Sequence, residues 1–201
     1  MFGKKKQDYL TENGLFAEDG TIRLRALEDT DMDAYVEISK DISSIKKIYD
    51  GSFRELTWQH AQENKDLILI AETCDDRIVV GRAVLMGLQD PIQEIGVSVL
   101  SKYRKKGYGQ RMVTLLTERA AKVGGMREFL VSVYDDNYAS RRMISKYHIE
   151  PIRSENSEFK KFMKALEEKM GYDFLRKVRE EYGEEMAEIE NRNITVYKLS
   201  L

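Results

Sequence analysis

The sequence predicts a layered α/β domain of the α+β kind, with a mixed sheet flanked by helices. Strand-like segments joined by short turns come first in the chain, and later strand-like segments alternate with helical ones. With 201 residues, the chain is long enough for one well-buried domain and short for two. We therefore expect a single domain over residues 1–201.

The composition indicates a globular protein with a heavily charged surface, since 34% of the residues are charged and 42% are hydrophobic. The net charge of −2 gives no global attraction to nucleic acid. No segment approaches the ~20 apolar residues that span a bilayer, and no apolar stretch follows Lys4 to Lys6 to form a signal peptide. Cys74 is the only cysteine, which excludes an intrachain disulfide and most cysteine-based metal sites. We expect a cytoplasmic enzyme or binding protein with no nucleic-acid or membrane partner.

The first elements are a strand followed by two helices. Residues 21–27 place Ile22 and Leu24 on one face and arginines on the other, which is the period of a half-buried strand. Residues 28–42 open with acidic and threonine residues suited to a helix N-terminus and continue with helical spacing. Residues 52–65 predict a second helix, in which Trp58 is either a core residue or part of an acceptor pocket.

A hairpin and a third strand come next. Residues 66–73 and 77–88 flank a short polar turn like the two strands of a hairpin, and residues 91–100 alternate again. A helix over residues 107–123 follows, ended by Gly124 and its neighbour Gly125.

The remaining segments alternate strand and helix. Residues 127–134 predict a strand, residues 138–148 a helix with His148 packing or capping its end, and residues 193–201 a final strand.

Residues 153–193 differ abruptly in composition from what precedes them. Apolar side chains recur there close to helical spacing amid dense Glu, Lys and Arg, which predicts one amphipathic helix or a helical pair. The apolar stripe either packs on the domain's own surface or forms a subunit interface or a lid over the substrate. Its members are Phe159, Phe162, Met163, Leu166, Met170, Phe174, Leu175, Val178, Tyr182, Met186 and Ile189.

The strand at residues 93–100 carries a polar stripe. Glu94, Gly96 and Ser98 share one face, and Ile95 and its apolar neighbours occupy the other. A strand inside a layered domain is usually apolar on both faces, so the stripe marks either a wet cleft or an edge strand that faces water.

Two glycines and three cations follow this strand, where the helix at 107–123 begins. Backbone N–H groups at a helix N-terminus, unobstructed by side chains at Gly107 and Gly109, can surround an anionic phosphate group. The cations Arg104, Lys105 and Lys106 would supply positive charge, so the segment predicts a pyrophosphate site.

These residues resemble a known family. The segment R104-K-K-G107-Y-G109 is similar to the Arg/Gln-x-x-Gly-x-Gly/Ala pyrophosphate loop of the GNAT superfamily of N-acetyltransferases. Residues 21–38 resemble the opening strand and helix of that family, and residues 133–147 resemble its later strand, Asn-x-x-Ser and helix segment. The resemblance covers roughly residues 20–150 and is strongest to the branch that acetylates ribosomal-protein N-termini and related amines.

The resemblance implies the GNAT fold, which is a mixed, mostly antiparallel sheet flanked by helices. It divides the chain into a core at about 20–152 and 194–200 and a helical insertion at about 153–193. It further implies that acetyl-CoA is the cosubstrate, held where strand 93–100 splays from strand 127–134, with no metal. The implied cofactor-binding residues are Val97, Val99, Arg104, Lys105, Lys106, Gly107, Tyr108, Gly109, Gln110, Asn137 and Ser140.

Ile144 stands where many family members carry the tyrosine that protonates the leaving thiolate, and His148-Ile149 replaces a Gly-Phe pair. A thiol with a pKa near 8.5 leaves tolerably as thiolate, whereas neutralising a lysine-like amine at pH 7 costs about 4.6 kcal/mol. Glu94 on the cleft face is therefore the candidate general base, unless it is only a solvent-exposed strand residue.

Ser98 is the candidate hydrogen-bond donor to the leaving sulfur or the substrate, and Tyr134 is an alternative acid. The two histidines, His60 and His148, lie far apart with no third ligand at metal spacing.

The expected activity is direct transfer of an acetyl group to a primary amine of a small molecule or a protein N-terminus. A degenerate family member that binds acyl-CoA as a sensor or interaction module is the alternative. A nucleotide-binding domain is a weaker one, because the loop lacks the Lys-Ser/Thr ending of a P-loop. The insertion is a candidate homodimer interface, and the sequence leaves the identity of the acceptor open.

Overall fold

A mixed sheet of eight strands forms the centre of the described part of the protein. The computed structural model describes residues 4–43, 46–50, 52–64, 66–156, 167–168 and 171–201. The strands are β1 (Leu15–Glu18), β2 (Ile22–Ala26), β3 (Leu67–Thr73), β4 (Val79–Met86), β5 (Gln93–Val99), β6 (Glu128–Tyr134), β7 (His148–Asn156) and β8 (Asn193–Ser200).

Helices flank this sheet. They are α1 (Met32–Ile42), α2 (Ser52–Glu63), α3 (Tyr108–Gly124), α4 (Tyr138–Ile144) and α5 (Tyr172–Glu190). Short 3₁₀ turns precede β1, α1 and α2 and follow β5. The backbone of α5 leaves helical geometry at Tyr182, where φ is −129°.

The strand order is β1-β2-β3-β4-β5-β6-β8-β7. Every neighbouring pair is antiparallel except β5 and β6, which run parallel. This arrangement confirms the predicted mixed, mostly antiparallel sheet flanked by helices.

Each face of the sheet is covered by different helices. The face covered by α3, here called the α3 face, carries Leu69, Leu85 and Ile95, which pack with the buried α3 residue Leu116. Burying a side chain of this size stabilises the fold by about 1.5–3 kcal/mol. On the opposite face, here called the α1 face, Ile68 of β3 packs with residues of α1 and α2.

Trp58 belongs to the α1 face. It is buried, and its ring meets the Tyr35 ring edge-on with centroids 6.1 Å apart. The side chain is therefore part of the packing between α1 and α2, as the core interpretation of this residue expected.

The ends of α3 follow the sequence prediction closely. Gly107 at its start and Gly125 after its end have φ of +84° and +70°, values that glycine adopts without the steric cost of a Cβ atom. The Gly125 N–H donates to the Ala121 carbonyl at 3.0 Å, which closes the last turn.

The helix predicted at 138–148 is shorter in the structure, since α4 ends at Ile144. His148 begins β7 opposite Ser200, so its predicted role at a helix end is wrong. Strand β7 continues to Asn156, so the first four residues of the predicted helical insertion are strand. Pairing with β8 along the whole of β7 determines this structure, and local periodicity does not reveal such long-range pairing.

The apolar stripe of the insertion is described only in part. Phe159, Phe162, Met163, Leu166 and Met170 lie outside the described residues, as do the side chains of Phe174, Leu175 and Ile189. Val178 and Met186 are buried within a single chain, so this chain itself covers them. Among the helices that are described, none is long and apolar enough to cross a membrane.

Candidate active site

A gap opens between β5 and β6. Their parallel pairing consists of two rungs, Gln93 with Phe129 and Glu94 with Leu130, while the antiparallel pairing of β5 with β4 continues to Val99. Beyond Glu94, the edge of β5 that faces β6 therefore has no partner strand among the described residues. The strands diverge as the resemblance implied.

The backbone of Val97 and Val99 faces this gap. The Leu100 N–H donates to the Val80 carbonyl at 3.0 Å, so Leu100 bonds to the β4 side. In an antiparallel pair, residues that bond to the partner strand alternate with residues that bond away from it. Ser98 also bonds toward β4, since a Cβ atom built on Gly81 would overlap the Ser98 carbonyl oxygen.

The loop after β5 combines two left-handed residues with the start of α3. Lys105 and Gly107 have φ of +64° and +84°, and such turns direct successive backbone N–H groups to one side. A Cβ atom built on Gly107 meets nothing within 4 Å, so this stretch of backbone is accessible. Lys105 and Lys106 are exposed beside it.

Gly109 has a different role from Gly107. A Cβ atom built on Gly109 would lie 3.1 Å from Met143 Sδ and 3.6 Å from Val99 Cγ2. The residue therefore permits a close approach of α3 to α4 and β5. Tyr108, between the two glycines, packs against the core on the α3 face.

Arg104 is held by two partners. Its Nε donates to the Val99 carbonyl at 3.0 Å, and its Nη2 donates to Asp41 Oδ2 at 3.1 Å. The Asp41 carboxylate also accepts from the Ser101 N–H and the Ser101 hydroxyl, each at 2.7 Å. Asp41 at the end of α1 therefore fastens the loop to the helix.

The environment of Asp41 stabilises its charged form. Burial alone would raise its pKa, but the hydrogen bonds from Ser101 and the charges of Arg104 and Lys46 together bring the pKa below its usual value. The carboxylate is therefore ionised at neutral pH.

The three candidate catalytic residues lie on the α1 face. Glu94 pairs with Leu130 at the last rung before the gap, and residues two apart on a strand share a face. Ser98 and Tyr134 thus share the face of Glu94, each about 13 Å along one of the diverging strands. The three therefore share one face of the sheet, with Glu94 at the closed end of the gap and with Ser98 and Tyr134 on opposite sides of its open end.

Their local contacts differ. Glu94 is half-buried and makes no side-chain hydrogen bond among the described residues, whereas the Arg192 guanidinium covers the Tyr134 ring at 3.8 Å. Ser98 lies directly opposite Arg82 of β4.

Asn137 and Ser140 lie beyond the end of β6. Asn137 Oδ1 accepts from the Ser140 N–H at 3.1 Å, so the amide side chain caps α4. Ile144, at the position of the missing tyrosine, is buried.

Gln110 is tied to a neighbouring tyrosine. Its Nε2 donates to the Tyr147 hydroxyl at 2.6 Å, and Thr114 Oγ1 lies 3.1 Å from the same hydroxyl. Gln110 Oε1 is buried without a hydrogen-bond partner in the described part of the chain.

Sequence reasoning missed two polar residues near the gap, Asp41 and Arg82. Arg82 Nη1 donates to the Ser39 hydroxyl at 2.9 Å, and the guanidinium lies 4.6 Å from the centre of the Tyr35 ring. The signal for Arg82 was a cation inside the otherwise apolar segment VVGRAVLM. Asp41 gave no sequence signal, because its partners lie about 60 residues away.

Solved structures resemble this fold at low sequence identity. RimL, a ribosomal α-N-protein acetyltransferase in complex with coenzyme A, has 15% identity and a TM-score of 0.65, covering 93% of this chain and 98% of its own. An acetyltransferase of the GNAT family from Bacillus anthracis has 17% identity and a TM-score of 0.62, covering 91% and 96%. A spermidine N-acetyltransferase SpeG chimera from Vibrio cholerae and hSSAT has 11% identity and a TM-score of 0.61, covering 90% and 96%.

The similarity to these solved structures establishes the fold, and a match to a family model establishes the family. No curated protein matches the sequence. Residues 21–150, however, match the acetyltransferase (GNAT) domain family, which is more than half of the chain and nearly the span of the resemblance recognised in the sequence. The protein belongs to the GNAT acetyltransferase family.

Proposed function

We propose that the protein is an N-acetyltransferase that moves an acetyl group from acetyl-CoA directly to a primary amine. The observation that carries this proposal is the gap after Glu94, which leads from the unpaired edge of β5 to the open loop at Gly107. An extended chain ending in a pyrophosphate fits such an edge and loop. The RimL structure, which contains coenzyme A, supports the fit at the level of the fold.

The chain's own residues would hold the cosubstrate. The Val97 backbone groups and the Val99 N–H face the gap and can pair with an amide-bearing arm, as a neighbouring strand would, while the Val99 carbonyl accepts from Arg104. Backbone N–H groups around Gly107 can bind the pyrophosphate, with Lys105 and Lys106 adding charge. Bound acetyl-CoA supplies the activated acetyl group.

Glu94 is the residue we assign to proton removal from the amine. It lies at the narrow end of the gap, half-buried and without a side-chain hydrogen bond in the described residues, so its carboxylate can accept a proton directly or through water. Ser98 can donate a hydrogen bond to the leaving sulfur or the acceptor. Tyr134 is the alternative acid, with its ring positioned by Arg192.

A thiol-release assay with acetyl-CoA and a panel of primary amines tests the activity. With a competent acceptor, Glu94→Gln should lower turnover roughly 10²- to 10⁴-fold with little change in acetyl-CoA affinity, as expected on losing a general base. Glu118→Gln, an exposed acid on α3, is the matched control and should retain full turnover. Near-normal turnover of the Glu94 variant would assign the proton to water or another group.

The second candidate function is acyl-CoA binding without catalysis. The buried Ile144 favours it, since this position supplies no acid, and the nearby Tyr147 hydroxyl is bonded to Gln110. Calorimetric binding of acetyl-CoA together with no thiol release across the amine panel would favour this candidate.

The acceptor class, location and assembly of the protein are further parts of the proposal. We infer a primary amine of a small molecule or protein N-terminus as acceptor and a cytoplasmic location. A homodimer through residues 153–193 is tested by sedimentation, where a wild-type monomer would exclude it.

A further inference from the structure

A row of four paired residues crosses the α1 face of the sheet. Arg25 of β2 pairs with Ile70 of β3, Ile70 pairs with Arg82 of β4, and Arg82 pairs with Ser98 of β5. The row therefore places two arginines on one face, two strands apart, and the second of them lies next to β5, the strand that borders the gap.

Arg25 is fully matched by acids. Its Nη1 and Nη2 donate to the two oxygens of Asp31 at 2.6 and 2.8 Å, and its Nε donates to Glu72 at 3.0 Å. The Arg25 side chain is 13% exposed and both carboxylates are buried. This is how a largely buried guanidinium is normally accommodated.

Among the described residues, Arg82 has neutral neighbours only. One N–H meets the Ser39 hydroxyl, the cation lies over Tyr35, and the described residues offer no carboxylate within ion-pair distance. Ser39 is itself buried and donates to the Tyr35 carbonyl at 2.9 Å, so the contact to Arg82 is part of the fold. Burial raises the pKa of nearby Tyr49, against the opposing effects of Ser43 and Arg82, so that phenol is not a counter-ion at neutral pH.

The acids of the nearest helix are used elsewhere. Asp33, Glu37 and Asp41 of α1 pair with Arg54, Lys102 and Arg104 respectively. None of these acids forms an ion pair with Arg82.

A guanidinium has five N–H donors in a planar fork that matches a carboxylate or a phosphate. Ser39 accepts from one of the Arg82 donors, which leaves the rest of the fork for a ligand. We propose that Arg82 forms a subsite for an oxyanion of the acceptor, so that the preferred acceptor is an amine that also carries a carboxylate or phosphate group. The inference rests on the proposed acetyltransferase function.

The surroundings leave room for such an acceptor. Between Ser98 and Glu94, the face is lined by Gly96, where a built Cβ atom meets only Met86 Cε, at 3.7 Å. An acceptor on this face can direct its oxyanion to Arg82 and its amine toward the gap. The structure does not fix the distance between the amine and the oxyanion of the acceptor. The test therefore uses acceptors in which these two groups are separated by chains of different length.

The test compares matched acceptors in the thiol-release assay. Glycine, 4-aminobutyrate and 6-aminohexanoate are each compared with their amides, and O-phosphoethanolamine is compared with ethanolamine, at equal concentrations of free amine. Wild type should prefer the anionic member of at least one pair by tenfold or more in kcat/KM. The pair that shows the preference distinguishes carboxylate from phosphate.

Variants assign the preference to the side chain. Arg82→Gln should lower kcat/KM for the anionic acceptor at least tenfold, change it less than twofold for the neutral partner, and leave the KM for acetyl-CoA unchanged. Arg82→Lys should retain part of the preference. Arg127→Gln removes an exposed cation just before β6 and should change nothing, which controls for net charge. No preference in wild type, or an unchanged preference in Arg82→Gln, overturns the proposal.

Binding separates this proposal from the proposed function. If no amine releases thiol, the acetyltransferase assignment fails, and calorimetry with the same ligand pairs decides on the subsite. Binding of an anionic member at least tenfold tighter than its neutral partner, lost in Arg82→Gln, supports the subsite. Equal binding of both members overturns it.

Discussion

The charged groups of β2 and β3 are paired with one another or with nearby residues, and we call this the closed region. Around β5, polar groups lack such partners among the described residues, and we call this the open region. In the closed region, Glu72 accepts from Arg25 and Arg23, and Asp31 and the Ala26 carbonyl accept from the Nη donors of Arg25. In the open region, Val97 lies on a strand edge that has no partner strand in the described part of the chain, and the described groups around Arg82 are neutral.

The difference separates stability from ligand binding. Buried charges and unpaired backbone groups cost free energy unless they are matched, and a fold matches them internally unless a ligand does so. We therefore expect the closed region to stabilise the sheet and the open region to carry binding and chemistry. Substitutions in the closed region should therefore change stability, and substitutions in the open region should change ligand binding or turnover.

The largest expected effect is on stability, in the closed region. Glu72→Gln removes a buried carboxylate from between Arg23 and Arg25 and should lower the free energy of unfolding by about 3 kcal/mol, the usual result of breaking a buried ion pair. Acetyl-CoA affinity of the folded variant should stay within twofold. Urea unfolding and calorimetry measure the two quantities.

Glu150→Gln is the control for this change. Glu150 is an exposed acid that pairs with Lys198 at 3.3 Å, and its replacement should cost less than about 1 kcal/mol. If both variants lost the same free energy of unfolding, the ion pairs of Glu72 would be no more stabilising than a surface pair.

The second effect contrasts the two ends of α3. Gly107→Ala and Gly125→Ala each place a Cβ atom on a left-handed residue that has open space around it, so each should cost about 1–2 kcal/mol of stability. Only Gly107→Ala should also weaken acetyl-CoA binding, by at least tenfold, because its Cβ atom would stand where the pyrophosphate approaches. Similar acetyl-CoA affinities for both variants in calorimetry would remove the loop from the binding site.

Much of this comparison could be read from the sequence, since local patterns encode it. The alternation of Ile22 and Leu24, the hairpin around the turn at 74–77 and the helix stop at Gly125 each depend on neighbouring residues. The polar stripe through Glu94 and Ser98 lies on the strand whose pairing with β6 ends at Glu94, and its part in a substrate cleft stays a prediction.

The features that the sequence did not predict depend on contacts between residues that lie far apart in the chain. Strand β7 forms because β8, from the end of the chain, pairs with it. Arg82 differs from Arg25 because no acid among the described residues reaches it across the sheet. Asp41 and Ser101 are joined by folding alone. Such contacts have no local period, so periodicity and spacing cannot reveal them.

The smallest expected effect lies at the Asp41 contact between α1 and the loop after β5. Because the pKa of Asp41 is lower in the folded state, its contribution is present above the unfolded value near 3.9 and is lost as the pH falls through the folded value. Asp41→Asn should therefore lower the free energy of unfolding by about 1 kcal/mol at pH 7 and by much less at pH 3. Urea unfolding at both pH values measures this difference. Glu37→Gln, which breaks the exposed pair with Lys102 one turn earlier on α1, should leave stability nearly unchanged at either pH, because water screens an exposed pair. A loss for Asp41→Asn that is equal at both pH values would show that its charge does not fasten the loop.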